Sequence, residues 1–423
     1  MTAEVVRQAK PSEVGSRPRV LVLSQYFPPE GAQYAASIVE ASERAGHTVR
    51  VLTGYPNYPE GKLFPGYRQR WRGREVVDGM RTLRVPLYTD HSDSFVKRFA
   101  NYASFGASST SALRLGRGAD AVYVYATQMT AALGPWVWNL TGGAPYVLHV
   151  QDLWPDSITG SSVSGGSRAK KTIEALINPW LASVYRHAAR IVVISPSMKR
   201  MLIERGVEAD KIDVIYNWAH VPEDVEPLDL PEKSGPTRLL YAGNLGEMQD
   251  LETLVRAVSA FGDSEVHLTM VGNGRETARL KELVHSLAAT NIEFLPGVPR
   301  EQMEELYKDA HFSLVTLRDL PVFEATIPSK LQASVARGVP VITTVRGDVA
   351  DLVSGGAGFA ARPGDVDDLV RTIREAHNQD QDQYDEMRTA AFDLYKREFK
   401  RDKALARFGA LLSEVARAGN REI

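Results

Sequence analysis

The alternation of short apolar runs with helical stretches most constrains how this chain can fold. The apolar run 19–24 leads through the turn-rich segment 25–31 into a helix over 35–45, and a second apolar run follows at 48–52. Gly46 suits the end of that helix, because glycine tolerates the left-handed conformation found there. Further strands are predicted at 121–125, 146–150 and 191–194. Strands separated by helices predict a parallel sheet covered on both faces.

The second half of the chain repeats this architecture without repeating the sequence. Its predicted strands are 239–242, 266–271, 292–295, 312–317 and 339–344. The last stretch, 384–418, has no strand and predicts one or two amphipathic helices that pack back on the first domain. We therefore predict an α/β protein with two Rossmann-like, doubly wound domains facing a central cleft. The predicted parts are a disordered tail (1–18), a first domain (19–224), a linker rich in proline and acidic residues (225–236), a second domain (237–385) and C-terminal helices (386–423).

Composition excludes several classes of protein. The 50 Lys and Arg residues nearly balance the 52 Asp and Glu residues, so no global field favours a nucleic-acid partner. The absence of cysteine excludes disulfides, thiolate metal sites and a cysteine nucleophile. No run approaches the roughly 20 apolar residues of a membrane span, and residues 1–18 lack the apolar core of a signal peptide. These features predict a cytoplasmic protein.

Six motifs stand in order along the chain, and together they are more specific than any one of them. They occupy residues 21–30, 54–59, 149–156, 241–246, 327–331 and 338–342. This set resembles the retaining glycosyltransferases of family 4, in the branch similar to bacterial surface-polysaccharide enzymes such as N-acetylfucosamine transferases. The resemblance covers residue 19 to about 408. It implies the GT-B architecture, a nucleotide-sugar donor in the second domain, an acceptor on the first, and transfer with retention of anomeric configuration. The donor is expected to be UDP-linked, with no further cofactor.

Glycine-rich turns after strands are the first candidates for donor binding. A sugar nucleotide carries a diphosphate, which backbone N–H groups, helix N-termini and cationic side chains can neutralise. The turn of Gly243, Asn244 and Gly246 follows a strand and precedes a helix, although an ordinary turn would look the same. Gly272 lies in another such turn. Gly297 resembles the family position whose neighbouring backbone contacts the base.

A lysine at a predicted helix start is the second donor candidate. Pro328 and Ser329 are typical of a helix start, which places Lys330 in the first turn. A cation there opposes the helix dipole unless an anion neutralises it. Lys330, with Ser329 beside it, is therefore predicted to contact phosphate; the alternative is a solvated surface lysine.

The chain departs from the family pattern at several donor positions. Many members carry Arg and Lys where this chain has Asn244 and Gln249. Of two glutamates expected before the Gly-x-Pro stretch, Glu324 matches the first and is a catalytic candidate. The second, which commonly holds the ribose hydroxyls, is replaced by Ala333; the adjacent Gln332 could serve after a shift of register.

The acceptor candidates lie in the first domain. Asp152 follows the strand 146–150, so it is predicted at the carboxyl edge of the sheet, where it would orient or deprotonate the acceptor hydroxyl. His149 is a further catalytic candidate, although a lone histidine in a strand can equally be a core residue. Asp156, Glu30 and Gly31 are candidates for acceptor contact; for the last two an ordinary turn is an equal alternative.

Carboxylate pairs elsewhere do not predict a metal ion. Asp365 and Asp367 follow a Pro-Gly pair and open a helix, so N-capping explains them better than metal binding. The cluster of Asp90, His91 and Asp93 is interpreted as a solvated loop. We predict a metal-independent enzyme.

Two segments could contact a membrane. Residues 94–105 place aromatic side chains at helical spacing beside Lys97 and Arg98, and four arginines surround Trp71 within 68–74. Such segments can rest on an anionic bilayer and admit a lipid-linked acceptor. The alternative is a packed helix beside a solvated basic loop. The predicted partners are thus a nucleotide sugar, a lipid-linked or small-molecule acceptor and the inner face of the membrane.

Two other functions remain open at the level of sequence. Ala333, Asn244 and Gln249 also fit a catalytically weak or inactive homologue that partners another transferase. A sugar-nucleotide 2-epimerase shares the same architecture, but the acid/base cluster expected of it is not visible in the sequence. Turnover of purified protein with and without an acceptor separates the three hypotheses.

Overall fold

The computed structural model describes residues 17–31, 33–90, 94–156, 167–299 and 302–419, and they form two α/β domains. Each domain has one sheet, of eight and six strands respectively. Predictions about residues 1–16 and the loop residues 91–93 lie outside the described residues.

The first sheet has the strand order β3-β4-β2-β1-β5-β6-β7-β8. All neighbouring strands are parallel except β3 and β4, which form an antiparallel hairpin. The strands are β1 (Arg19–Ser24), β2 (Thr48–Gly54), β3 (Gly73–Val77), β4 (Met80–Val85), β5 (Ala121–Ala126), β6 (Tyr146–Val150), β7 (Arg190–Val193) and β8 (Ile212–Val214). The helices of this domain are α1 (Gln33–Arg44), α2 (Phe95–Thr110), α3 (Leu113–Arg117), α4 (Leu133–Leu140), α5 (Ser167–His187) and α6 (Pro196–Glu204).

The second sheet is entirely parallel, in the order β11-β10-β9-β12-β13-β14. Its strands are β9 (Thr237–Ala242), β10 (Val266–Val271), β11 (Ile292–Leu295), β12 (Phe312–Val315), β13 (Val341–Thr343) and β14 (Gly358–Ala360). Its helices are α7 (Leu251–Val258), α8 (Thr277–Ser286), α9 (Met303–Lys308), α10 (Ser329–Val335), α11 (Asp348–Val353), α12 (Val366–His377) and α13 (Gln381–Leu394). In both sheets the loops at the carboxyl edge are available for ligands, as in other doubly wound folds.

The C-terminal helix returns to the first domain, as predicted. A π-helical turn over Tyr395–Phe399 follows α13, and α14 (Arg401–Gly419) then packs Phe408 and Leu412 into the core that contains Val22 and Ile38. Because α13 still packs on the second domain, the chain crosses between domains after the π-helical turn rather than at the predicted boundary near 386.

The predicted linker is more firmly attached than its composition suggests. No helix or strand is assigned between Val214 and Thr237. Leu230 is nevertheless buried in the core of the second domain, and the Leu228 N–H donates to the Arg337 carbonyl at 2.9 Å. Apolar side chains therefore bind the latter part of this segment to the second domain, although its backbone is irregular.

Candidate functional site

The predicted donor glycines meet at the carboxyl edge of the second sheet. A side chain at Gly272 would place its Cβ 1.9 Å from the Gly243 carbonyl oxygen, and one at Gly274 would lie 2.1 Å from that of Leu245. The loops after β9 and β10 also share backbone hydrogen bonds, such as Leu245 N–H to the Asn273 carbonyl at 3.0 Å. Only glycine allows the two loops to approach this closely.

Three of the four predicted glycines line one pocket. Gly243, Gly272 and Gly297 lie on the wall of a cavity of about 980 Å³, together with Asn244 and Ser329. Gly246 lies behind them, where a Cβ would meet the Asn244 amide at 2.5 Å. A cavity of this size can hold a sugar nucleotide.

Lys330 places a cationic side chain in this pocket. Its Nζ donates to the Tyr241 hydroxyl and to Gln249 Oε1, both at 2.9 Å, and lies 4.1 Å from the centre of the Tyr241 ring. Among the described residues, no carboxylate pairs with it. Burial lowers the pKa of Lys330 to about 7. An anion in the pocket would therefore stabilise the charged form.

The residues at which this chain departs from the family pattern contact Lys330 or line the pocket. Gln249 holds the ammonium group of Lys330, so this position orients the cation instead of supplying one. Gln332 is buried at the pocket wall and donates to the Asn217 carbonyl at 3.0 Å. One of its two amide N–H groups is thus bonded to protein, while Ala333 opens directly onto the pocket.

Glu324 lies at the pocket rim. Its neighbours Phe323 and Thr326 line the pocket, and its own carboxylate pairs with Arg346 at 3.1 Å. Arg346 also pairs with Asp319 at 2.6 Å. The ion pairs hold Glu324 in a half-exposed position beside the cavity.

Asp152 occupies the corresponding edge of the first sheet. It follows β6 and is exposed to solvent. Although the residue contacts solvent, neighbouring protein excludes part of the water around its carboxyl group. This desolvation raises the pKa of Asp152 to about 6. Burial, together with the Asp152 charge, also raises the pKa values of Tyr102 and Tyr125, which places these phenols near the carboxylate. Such a group changes charge near neutral pH and can accept a proton.

The other acceptor candidates have different surroundings. The Glu30 carboxylate accepts backbone N–H groups of Asn57 at 2.7 Å, Tyr58 at 2.8 Å and Phe27 at 3.3 Å. This buried carboxylate, whose pKa burial raises, ties two loops together, and Gly31 is exposed beside it. Asp156 pairs with Arg205 at 2.6 Å.

His149 lies in the core and not in the cleft. Its side chain is fully buried, its ring packs 5.0 Å from that of Phe408, and Nδ1 bonds to the Tyr123 hydroxyl at 2.5 Å. Burial lowers its pKa to about 3. The ring is therefore neutral at physiological pH. Its surroundings are those of a core residue rather than a catalytic one.

Hydrogen bonds connect the acceptor and donor edges. Gln151, next to Asp152, accepts from Asn217 Nδ2 at 2.7 Å, and the Asn217 carbonyl accepts from Gln332 of α10. Asn217 thus joins the loop after β6 to the helix that carries Lys330. Sequence reasoning missed Asn217, because it precedes the predicted linker and matches no motif.

A second set of contacts fastens the two domains. The Asp348 carboxylate, which is 3% exposed, accepts from the backbone N–H of Ser197 at 2.7 Å and from its hydroxyl at 2.8 Å. The Ser195 hydroxyl donates to the Ala325 carbonyl at 2.9 Å. The start of α6 is therefore hydrogen-bonded both to α11 and to the turn that carries Glu324.

Replacement of Asp348 by alanine is expected to destabilise the protein. Two buried donors of Ser197 would lose their acceptor, which costs about 2 kcal/mol or more. The midpoint of thermal unfolding should fall clearly. Asp351→Ala, an exposed change on the same helix, is the control and should leave the midpoint unchanged. Equal midpoints for the two variants would contradict the role of this contact.

Asp365 lies directly before helix α12. Asp365 caps α12, accepting from the Asp368 N–H at 2.9 Å, which confirms the predicted N-cap. Within the described ranges, no group of three or more His, Asp or Glu side chains gathers in a geometry that could hold a metal ion.

Comparison with known proteins identifies the two domains. Residues 31–218 match the glycosyl transferase 4-like domain, and residues 224–393 match glycosyl transferases group 1. The chain is a GT-B glycosyltransferase. It is 29% identical over 378 residues to the putative colanic acid biosynthesis glycosyl transferase WcaI of Escherichia coli K12, covering 85% of this chain and 92% of that protein.

Solved structures agree on the fold of this glycosyltransferase. Sucrose-phosphate synthase of Thermosynechococcus elongatus superposes with a TM-score of 0.69 at 18% identity, covering 95% of this chain and all of the other. Anabaena HepE in complex with UDP and glucose gives 0.63 at 16% identity, covering 93% and 99%. The predicted pair of facing Rossmann-like domains is confirmed. Within the described residues of the glycosyltransferase, no helix has the length and apolar character needed to span a bilayer.

Proposed function

We propose that this glycosyltransferase moves a sugar from a UDP-linked donor to a hydroxyl group of a lipid-linked or small-molecule acceptor, with retention of configuration, in glycan biosynthesis. The observation that carries the proposal is Lys330, a cation without a carboxylate partner among the described residues, at the wall of a glycine-lined pocket. That HepE was crystallised with UDP, and that WcaI is named for colanic acid biosynthesis, supports the donor and the glycan.

The diphosphate would lie against the glycine loops beside Lys330. The exposed backbone of Gly243 lets a phosphate approach closely, since no Cβ intervenes. The Tyr241 hydroxyl donates to the Asn244 carbonyl at 2.8 Å, so its oxygen is oriented to accept from Lys330. This arrangement holds the ammonium group in place before the anion arrives, which lowers the cost of binding.

The sugar would project from the diphosphate towards the first domain. Departure of the diphosphate leaves positive charge at the anomeric carbon, and same-face attack by the acceptor hydroxyl retains configuration. Asp152 would orient that hydroxyl and accept its proton. Glu324, held by Arg346 at the pocket rim, would lie near the donor sugar. Positioning of both substrates contributes most of the rate in such a scheme.

Exposed apolar and cationic side chains of the first domain support a lipid-linked acceptor. Trp71 is 63% exposed and Val96 is 73% exposed. Arg70, Arg74 and Lys97 are also exposed near them in sequence. Such a mixture can rest on an anionic membrane surface, the cytoplasmic inner face in our proposal. Phe95, also expected to take part, has a side chain outside the described residues.

A panel of sugar nucleotides tests the proposal. A bound donor at about 100 times its dissociation constant should raise stability by about 2.7 kcal/mol, visible as a thermal shift. The best donor should then yield a glycosylated product only when an acceptor is present, and nuclear magnetic resonance should show the donor's anomeric configuration in the product. Inversion would contradict the retaining mechanism. Donor binding without turnover would indicate an inactive homologue, and conversion of the donor alone would indicate an epimerase.

A further inference from the structure

A second cation, Arg337, lines the same pocket as Lys330. Lys330 lies near the start of the seven-residue helix α10 and Arg337 lies just beyond its end, so a helix about 10 Å long separates them. Both line the cavity, and Ala333 lies between them on the same wall. The spacing leaves room for a pentose between a diphosphate beside Lys330 and a base beside Arg337.

Within the described residues, the guanidinium of Arg337 donates only one hydrogen bond. The residue is 9% exposed, stacks over the Tyr307 ring at 4.8 Å, and donates from Nη1 to the Ala333 carbonyl at 2.9 Å. An arginine has five N–H donors. In the part of the chain that the structure describes, the others have no protein acceptor, and no carboxylate pairs with this group. Among the described residues, Arg337 contributes no buried atom that lacks a partner, so its remaining N–H groups reach the open cavity, where the carbonyl oxygens of a ligand can accept them.

The wall between the cations does not suit a ribose diol. Ribose hydroxyls in nucleotide sites are commonly bound by an Asp or Glu carboxylate. The described residues that line this pocket include neither an aspartate nor a glutamate. At the place where the pentose would lie, the wall presents the methyl group of Ala333.

We infer that Arg337 recognises the carbonyl oxygens of the donor's base, and that the pocket accepts 2′-deoxyribonucleoside diphosphate sugars as readily as ribonucleoside ones. This inference rests on the proposed function, because it assigns the nucleotide end of the same donor pocket. The substrate class is thereby widened to sugars linked to a deoxynucleoside diphosphate with a carbonyl-bearing base. Lys330 binds the diphosphate in either case.

Binding of UDP and dUDP to the full chain, measured by calorimetry, tests the inference, because the two ligands differ only in the 2′-hydroxyl. We expect dissociation constants within about threefold of each other. A preference for UDP of about tenfold or more, the size of one charged hydrogen bond, would overturn the inference while leaving the proposed function intact. Failure of both nucleotides to bind would overturn both.

Arg337→Met tests the base contact. It should weaken UDP and dUDP alike by about tenfold or more and leave inorganic pyrophosphate binding unchanged, since pyrophosphate has no base. An equal loss for pyrophosphate would contradict recognition of the base, and unchanged UDP binding would do so as well. Arg374→Met is the matched control. That guanidinium also stacks on an aromatic ring, Phe261 at 5.3 Å, but lies outside the pocket lining.

Discussion

Replacement of Lys330 by methionine should weaken binding of UDP and of the nucleotide-sugar donor by about 10- to 100-fold. Methionine keeps an unbranched side chain but removes the charge. A hydrogen bond to a charged group contributes about 1.5–3 kcal/mol, which corresponds to this range. Calorimetric titration of both proteins measures the effect. Lys281→Met, an exposed lysine stacked on Phe294 of the same domain, should bind UDP normally.

The pH dependence of UDP binding separates this contact from a general loss of structure. Burial lowers the pKa of Lys330 to about 7, and a bound diphosphate would raise it again. Above pH 7 the free protein must take up a proton to bind, so affinity should fall as pH rises from 7 to 9. Phosphate groups carry constant charge there, since their second pKa is about 6. The fall should be absent in Lys330→Met; its persistence would contradict the assignment.

Replacement of Asp152 by asparagine should lower kcat by about 100-fold or more while leaving donor affinity unchanged. Asparagine has nearly the same shape but cannot accept the proton of the acceptor hydroxyl, and general base catalysis typically contributes at least this factor. Initial rates and UDP titrations of the same preparation measure the two quantities. Asp210→Asn, an exposed carboxylate of the same domain, should retain full activity.

The Asp152 carboxyl also predicts the acidic limb of the pH–rate profile. Desolvation raises its pKa to about 6, and only the deprotonated form accepts a proton. The value of kcat/KM should therefore rise with pH and reach half its maximum near pH 6. Loss of this limb in Asp152→Asn is expected. Full activity in the variant, or the same limb at lower amplitude, would rule out Asp152 as the base.

The sequence predicted the central strands of both sheets, because their apolar runs are long, but it missed the short edge strands β8 and β14, which have three residues each. The β3–β4 hairpin escaped prediction. Its strands alternate charged and apolar residues within a basic segment, and that pattern also suits a solvated loop. Arg84 explains the difference, because this buried guanidinium contacts Glu75 and the Gly54 carbonyl, anchoring the hairpin to β2.

The candidate site was predictable in its backbone and less so in its side chains. Glycine turns after strands mark close backbone approach, and the second domain brings Gly243 and Gly272 together. The partners of Lys330 could not be found in the same way, since Tyr241 and Gln249 are far from it in sequence. The role of His149 could not be predicted from the sequence. Its burial depends on packing against Phe408 of α14, which is distant from it in the chain.

A crystal structure of the protein with bound UDP would show whether Lys330 and the glycine loops bind the diphosphate. We expect phosphate oxygens within hydrogen-bonding distance of Lys330 Nζ and against the Gly243 backbone, with the base towards Arg337. A nucleotide bound elsewhere, or one whose diphosphate points away from Lys330, would contradict it.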